Sequence, residues 1–233
     1  MKQFSNKYIF IFSTVMVIIV AALLSLAATL LQPAQERNLE IEKKRSMLES
    51  IRIPATKADA VELYNKYIKE SFVLNVKGEK VEGVDAFGVV LKNEQKKPLE
   101  EQYLPVFRAV PDDGEKVIIL PVEGKGLWGP IWGYISLKSD MNTIYGATFD
   151  HKGETPGLGA EINTTSFESM FRDKKLYDDS TFVSVKVHKG GADPSDVHGV
   201  DAISGGTITS KGLEKMLLDC LKKYNDYLLK NRI

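Results

Sequence analysis

The sharpest feature of the hydropathy pattern is an apolar run from Tyr8 to Leu31 that contains no charged residue. A bilayer core takes about 20 apolar helical residues, so the run is long enough to span. A cleaved signal peptide is the competing reading, with Ser25-Leu26-Ala27 as a weak cleavage site. The run is longer than the usual signal core of roughly 7–15 residues, so an uncleaved anchor is expected over residues 1–33. After Pro33 the pattern turns charged. Leu39, Ile41, Met47, Leu48 and Ile51 lie among Glu, Lys and Arg, as in a solvated helix ending before Pro54. Thr56, with Asp59 three residues on, reads as a helix start, and that helix should run to about Ser71 with Val61, Tyr64 and Ile68 on one face. Phe72 to Lys77 reads as a strand closed by Gly78. Pro98 to Asp113 is ambiguous, with an apolar run from Val106 to Val110.

From Lys116 the pattern favours strands: Val117 to Val122, Ile131 to Leu137, Thr143 to Phe149 and Phe182 to Val187. A helix is expected after Gly159, with Ile162, Phe167, Met170 and Phe171 apolar. A final amphipathic helix should run from Ser210 to Leu229, with Leu213, Leu217, Cys220, Leu221, Tyr224 and Leu228 near one side. Strands and helices do not alternate strictly, so the expected class is α+β: one N-terminal transmembrane helix, then a soluble domain with a mainly antiparallel sheet and flanking helices. The expected divisions are 1–33 anchor, 34–115 charged helical stalk and N-terminal part of the soluble region, and 116–233 a domain ending in the C-terminal helix.

Composition narrows the function classes. Thirty-one basic and 31 acidic residues balance to zero, so no basic excess points to nucleic acid. The single Cys220 excludes an internal disulfide, and excludes thiolate zinc or iron–sulfur sites built from this chain alone. His151, His188 and His198 are scattered, and no metal is assigned to them. No G-x-G-x-x-G follows a strand, so a nicotinamide site is not expected here.

Two segments could carry chemistry. In His151-Lys152-Gly153-Glu154-Thr155-Pro156-Gly157-Leu158-Gly159, the glycines and proline specify the backbone tightly just before a helix. This is either a rigid strand-to-helix connection or a turn whose amides approach a ligand, with Glu154 and Thr155 as polar groups. In Asp201-Ala202-Ile203-Ser204-Gly205-Gly206-Thr207-Ile208-Thr209-Ser210, four hydroxyls and two glycines open the C-terminal helix. One hydroxyl is enough for an N-cap. The surplus suits a phosphate, which helix N-terminal amides and the helix dipole both favour. The spacing matches neither a Walker loop nor a G-x-S-x-G elbow.

Together these segments resemble the FMN-binding domain family of flavinylated electron-transport subunits, over about Lys116 to Gly212. That family carries S/T-G-A-T-x-T/S, usually after an Asp, and an E-T-P-G-L-G element. Here Asp201, Ser204-Gly205-Gly206-Thr207 and Thr209 match the first, with Gly206 in place of the usual Ala, and Glu154 to Gly159 match the second. The H-x-x-E-T-P-G-L-G form and the long charged segment resemble the C subunits of sodium-translocating NADH:quinone oxidoreductases, with the G subunits of RNF complexes second.

The resemblance implies covalent FMN, phosphoester-linked to Thr207 by a separate flavin transferase. It also implies electron transfer between partner subunits, with no protein base acting as a catalytic residue. The cofactor-binding residues would be Thr207, Ser204, Gly205, Gly206, Thr209, Glu154, Thr155, Gly157, Leu158 and Gly159. Trp128 joins them as an aromatic wall. The smaller Gly206 should make its loop more flexible. A membrane-anchored extracytoplasmic ligand-binding or sensory domain without covalent flavin is the other reading. Orientation divides the signals. Arg37, Lys43, Lys44 and Arg45 lean towards an inside domain, whereas the resemblance implies a periplasmic domain on the inner membrane.

Overall fold

The computed structural model describes residues 5–232, and the chain divides into two units at Lys43/Lys44. Helix α1 (Asn6–Ser50) crosses that division and runs through Pro33 without a break. The sequence pattern separates an anchor from a charged helix; the structure joins them, because a single proline removes only one amide donor from the ladder. Within the first unit, Tyr8 to Leu31 present their large apolar side chains outwards. Among the described residues this is the one helix long and apolar enough to cross a membrane.

The second unit is built on an antiparallel sheet in the order β2-β1-β3-β4-β5-β6. Its strands are β1 (Ile68–Leu74), β2 (Lys80–Val81), β3 (Leu104–Ala109), β4 (Val117–Lys125), β5 (Pro130–Leu137) and β6 (Ile144–His151). Helix α2 (Ala60–Tyr67) precedes β1, and the short α3 (Leu91–Glu94) precedes β3. The mainly antiparallel sheet matches expectation, but the helix expected to reach Ser71 stops at Tyr67. From Ile68 onwards the chain pairs with β3, where Ile68 faces Ala109 and Phe72 faces Val106, so long-range pairing overrides local helical spacing. The ambiguous Val106 region is β3, a strand buried on both faces. Such strands read as continuous apolar runs rather than alternating ones.

Both faces of the sheet are covered, and pleat alternation sorts the side chains. One face carries Leu120, Ile135 and Ala147 in one cross-strand row, packed with Leu213, Leu217 and Tyr224. The other carries the row Phe107, Ile119, Ser136 and Gly146, against which Met47, Leu48 and Ile51 pack. The two small residues of that row make room for backbone: Ser136 Oγ donates to Ser50 O at 2.5 Å, and a Cβ on Gly146 would collide with the same oxygen. Arg52, in the left-handed region at φ 64°, lays its guanidinium over the Tyr145 ring at 4.1 Å. The last turn of α1 is thereby built into the domain it precedes.

After β6 the regular elements are short. They are α4 (Thr165–Ser169), β7 (Tyr177–Asp178), β8 (Thr181–Phe182), β9 (Lys186–His188) and β10 (Gly199–Asp201). The helix expected after Gly159 is a 3-10 turn, Gly159–Asn163, followed by α4, because Thr164 leaves helical geometry to cap α4. The strand expected over Phe182 to Val187 is split, since Val183 and Ser184 both donate to Leu176 O and Ser184 lies at φ 63°. The C-terminal helix is two pieces, α5 (Thr207–Leu221) and α6 (Asn225–Asn231), joined by a 3-10 turn. It begins three residues earlier than its hydrophobic face suggests, which puts Thr207 at the first helical position.

Candidate functional site at the start of the C-terminal helix

Helix α5 lies directly on the end of β4, and glycines set the distance. A Cβ on Gly212 would come within 2.5 Å of Lys125 O, and one on Gly124 within 2.7 Å of Met216 Cβ. This close contact brings the Ser204–Ser210 segment to the turn after β6. There a Cβ on Gly205 would meet Leu158 Cδ2 at 2.5 Å, and one on Gly206 would meet Gly159 N at 3.2 Å. The two motifs, far apart in the chain, are in contact.

Glu154 ties them together. It is 4% exposed. Its Oε1 accepts from Trp128 N at 2.8 Å and Gly129 N at 3.3 Å, while its Oε2 accepts from the buried Thr209 Oγ1. Burial pushes its carboxyl up, but the Thr209 hydroxyl, the two amides and nearby His151 outweigh that and hold it below the ordinary carboxylate range. Glycines again make the room. A Cβ on Gly126 would strike Glu154 Oε1, and one on Gly159 would strike Glu154 Oε2 and Thr209. One buried carboxylate thus joins the β4–β5 loop, the turn after β6 and the first turn of α5.

The four hydroxyls of the second motif separate by what they do. Thr209 is committed to Glu154, and Ser210 Oγ accepts from Ile203 N at 3.1 Å. Among the described residues, Ser204 and Thr207 have no hydrogen-bond partner for their hydroxyls. Thr207 is half-buried at the first position of α5, whose N-terminus has no side-chain cap. Among the described residues the amides of Thr207, Ile208 and Thr209 have no partner, and no acid of α5 itself stands in its first turn, a setting that suits a phosphate. Gly205 at φ 72° makes the sharp approach, which an L side chain would strain. Gly206, at φ −99°, needs no such freedom. Its missing Cβ is accounted for by packing, since a methyl would sit 2.9 Å from Ile203 Cγ2.

In the first motif, Thr155, Gly157 and Leu158 face outwards while Glu154 and Gly159 point in. Gly157 turns at φ 73°, and its amide donates to Glu161 Oε1 at 3.0 Å. Thr155 contributes its carbonyl, which accepts from Leu158 N and Ala160 N. The loops that Glu154 joins expose a set of large apolar side chains: Trp128 at 71%, Ile208 at 61%, and Leu127 and Leu158 at just over 40%. Leu127 and Ile208 carry no signal in the sequence beyond standing next to Trp128 and Thr207. Only the fold shows that they belong, with Leu158, to the segments that Glu154 ties together.

The FMN-binding domain model matches residues 126–222, which take in Trp128, the Glu154–Gly159 turn and the Ser204–Ser210 segment. The C subunit of the Na+-translocating NADH-quinone reductase of Vibrio parahaemolyticus is 30% identical, over 84% of this chain and 83% of its own length. The chain belongs to the family of these reductase C subunits. Solved structures from the family have the same fold. That from Parabacteroides distasonis has a TM-score of 0.79 and 45% identity, covering 85% of this chain and 96% of that one. NqrC of Shewanella oneidensis has a TM-score of 0.72 and 25% identity, covering 85% and 98%. The matched residues thus include the half-buried Thr207 and the exposed Leu127, Trp128, Leu158 and Ile208.

Proposed function

We propose that this family member is the electron-carrying subunit of a membrane NADH:quinone reductase that moves sodium, and that FMN is held as a phosphoester on Thr207. One observation carries the reading. Of the hydroxyls in the Ser204–Ser210 segment, Thr207 alone is both without a partner among the described residues and at the uncapped start of α5. The bound flavin would supply one- and two-electron redox chemistry. The chain would supply its position: the first amides of α5 would hold the phosphate, Gly205 and Gly206 seat the segment against Leu158, Ile203 and Gly159, and Glu154 ties the three loops together. Trp128, Leu158 and Ile208 offer an apolar wall for the ring system and limit water beside it. Thr207→Ala, expressed with a flavin transferase, should remove the fluorescent flavin band from denaturing gels. A band that persists, or the FMN mass found on Ser204 or Thr209, would refute the residue assignment.

The reading includes a periplasmic position for the second unit, with the short segment before Tyr8 kept inside by Lys2 and Lys7. The positives from Arg37 to Arg45 are interleaved with Glu36, Glu40 and Glu42, which weakens a plain positive count. Alkaline phosphatase joined after Ile233 should be active. An inactive fusion beside an active cytoplasm-only reporter would reverse the orientation.

A further inference from the structure

A groove of about 970 Å³ runs along α5 beside the second half of β4. Its floor is apolar, formed by Val76, Leu99, Pro130 and Met216, with Leu99 55% exposed. Its rim is basic. Lysines 92, 125, 215, 222 and 223 line it against only Glu123 and Asp219, five positive charges to two negative in a chain whose net charge is zero. Lys215 is paired with Asp219 at 2.9 Å, and Lys223 donates to Gln102 at 2.8 Å. Among the described residues the ammonium groups of Lys92, Lys125 and Lys222 have no partner. The groove takes Gly129 and Pro130 from the end of the loop that carries Trp128, whose amide donates to Glu154.

An apolar strip beneath a rim of unpaired lysines is the complement of a helix or extended segment with one apolar and one acidic face. A small ligand is a poorer match. The volume is at the upper end of the roughly 300–1,000 Å³ of such sites, and Lys92, Lys125 and Lys222 are all open to solvent. We propose that this groove docks an acidic amphipathic segment of another subunit, with apolar side chains on Leu99 and Met216 and carboxylates on Lys92, Lys125 and Lys222. Docking there would hold the neighbour beside the loop that carries Trp128. The proposal rests on the subunit reading and is independent of the link to Thr207.

The test uses the intact complex from native membranes, treated with a water-soluble carbodiimide. The reagent condenses a lysine amine with a touching carboxylate into an amide; the water removed converts the carbodiimide to its urea. Peptide mass spectrometry should find Lys92, Lys125 or Lys222 joined to Asp or Glu residues within one segment of another subunit. The K92E/K125E/K222E variant should lose those links and leave the complex at no more than half the salt concentration that releases wild type. The corresponding Lys→Gln triple should fall between them, and K57E/K189E should behave as wild type. Links confined to this chain, or a wild-type salt profile for the charge-reversed triple, would overturn the proposal. So would protection of the same lysines from acetylation by inorganic pyrophosphate alone, with no protection from assembly, which would make the groove a small-anion site. Gel-stable flavin is scored on the same samples, so failure of the flavin link and failure of the groove give separate results.

Discussion

Replacing Thr209 by valine tests the carboxylate brace most directly. The shapes match, so little cavity or overpacking arises, and the change is confined to the hydroxyl that donates to Glu154 Oε2. A hydrogen bond to a charged group contributes about 1.5–3 kcal/mol. Here the oxygen it leaves is buried and would face a methyl, while the other oxygen keeps its bonds to Trp128 N and Gly129 N. A loss of about 2–3 kcal/mol is expected, in the upper half of that range. For a body of this size that lowers the melting temperature by roughly 4–12 °C. The assay is thermal unfolding of the full chain in detergent at a series of pH values. Glu154 titrates below its unfolded value of about 4.3. Its contribution is therefore complete above that pH and is lost as pH falls through the folded value. The gap between wild type and Thr209→Val should be constant near neutrality and narrow in acid. The gel-stable flavin proposed for Thr207 should survive in the variant. A gap below about 0.5 kcal/mol at pH 7, roughly a sixth to a quarter of the expected loss, would refute the brace, as would a gap that widens as the pH falls.

Gly206→Ala should cost about 1–3 kcal/mol by overpacking against Ile203. Adding Ile203→Leu, which removes the branch methyl at Cβ, should recover part of that loss in a double-mutant cycle of melting temperatures. Burial, with the charges of Glu49 and Asp150 added, raises the Glu168 carboxyl to about 7, so the folded state holds its proton more tightly than the unfolded chain. That preference favours folding in acid and is lost as pH rises from about 4.3 through about 7. Glu168→Gln keeps an acceptor for Phe149 N, and its stability should gain on wild type by about 2 kcal/mol or more across that window, measured by urea unfolding.

Much of this architecture is legible in the sequence because the relevant signals are local. The apolar run of α1, the strands around Ile118, Ile135 and Ala147, and the amphipathic C-terminal helix each follow from spacing alone. The errors fall where a long-range partner decides. The spacing of Ile68 from Tyr64 fits a helix face, yet pairing with Ala109 makes it a strand. Phe182 to Val187 looks like a strand until Leu176 O draws two of its amides out of line. At the site, glycines and hydroxyls mark the two motifs, but nothing in the sequence says which hydroxyl is already engaged. Thr207 and Thr209 are equivalent as letters. Only the fold gives one to Glu154 and leaves the other without a partner among the described residues.

The contact between Glu154 and Thr209 spans 55 residues of chain, and this has a bearing on the order of assembly. Strands β4, β5 and β6 are joined as successive hairpins and can form from neighbouring sequence while the chain is still being made. The α5 turn emerges afterwards and docks across a loop that is slow to close relative to those hairpins. Until it docks, Thr207 is one exposed hydroxyl among several in a glycine-rich segment, with neither a helix end nor the loops that Glu154 ties together beside it. A chain cut short before α5 has no such site at all. On the proposed reading, the attachment point forms only once α5 has docked, so whatever reads its shape also reads whether that docking is complete.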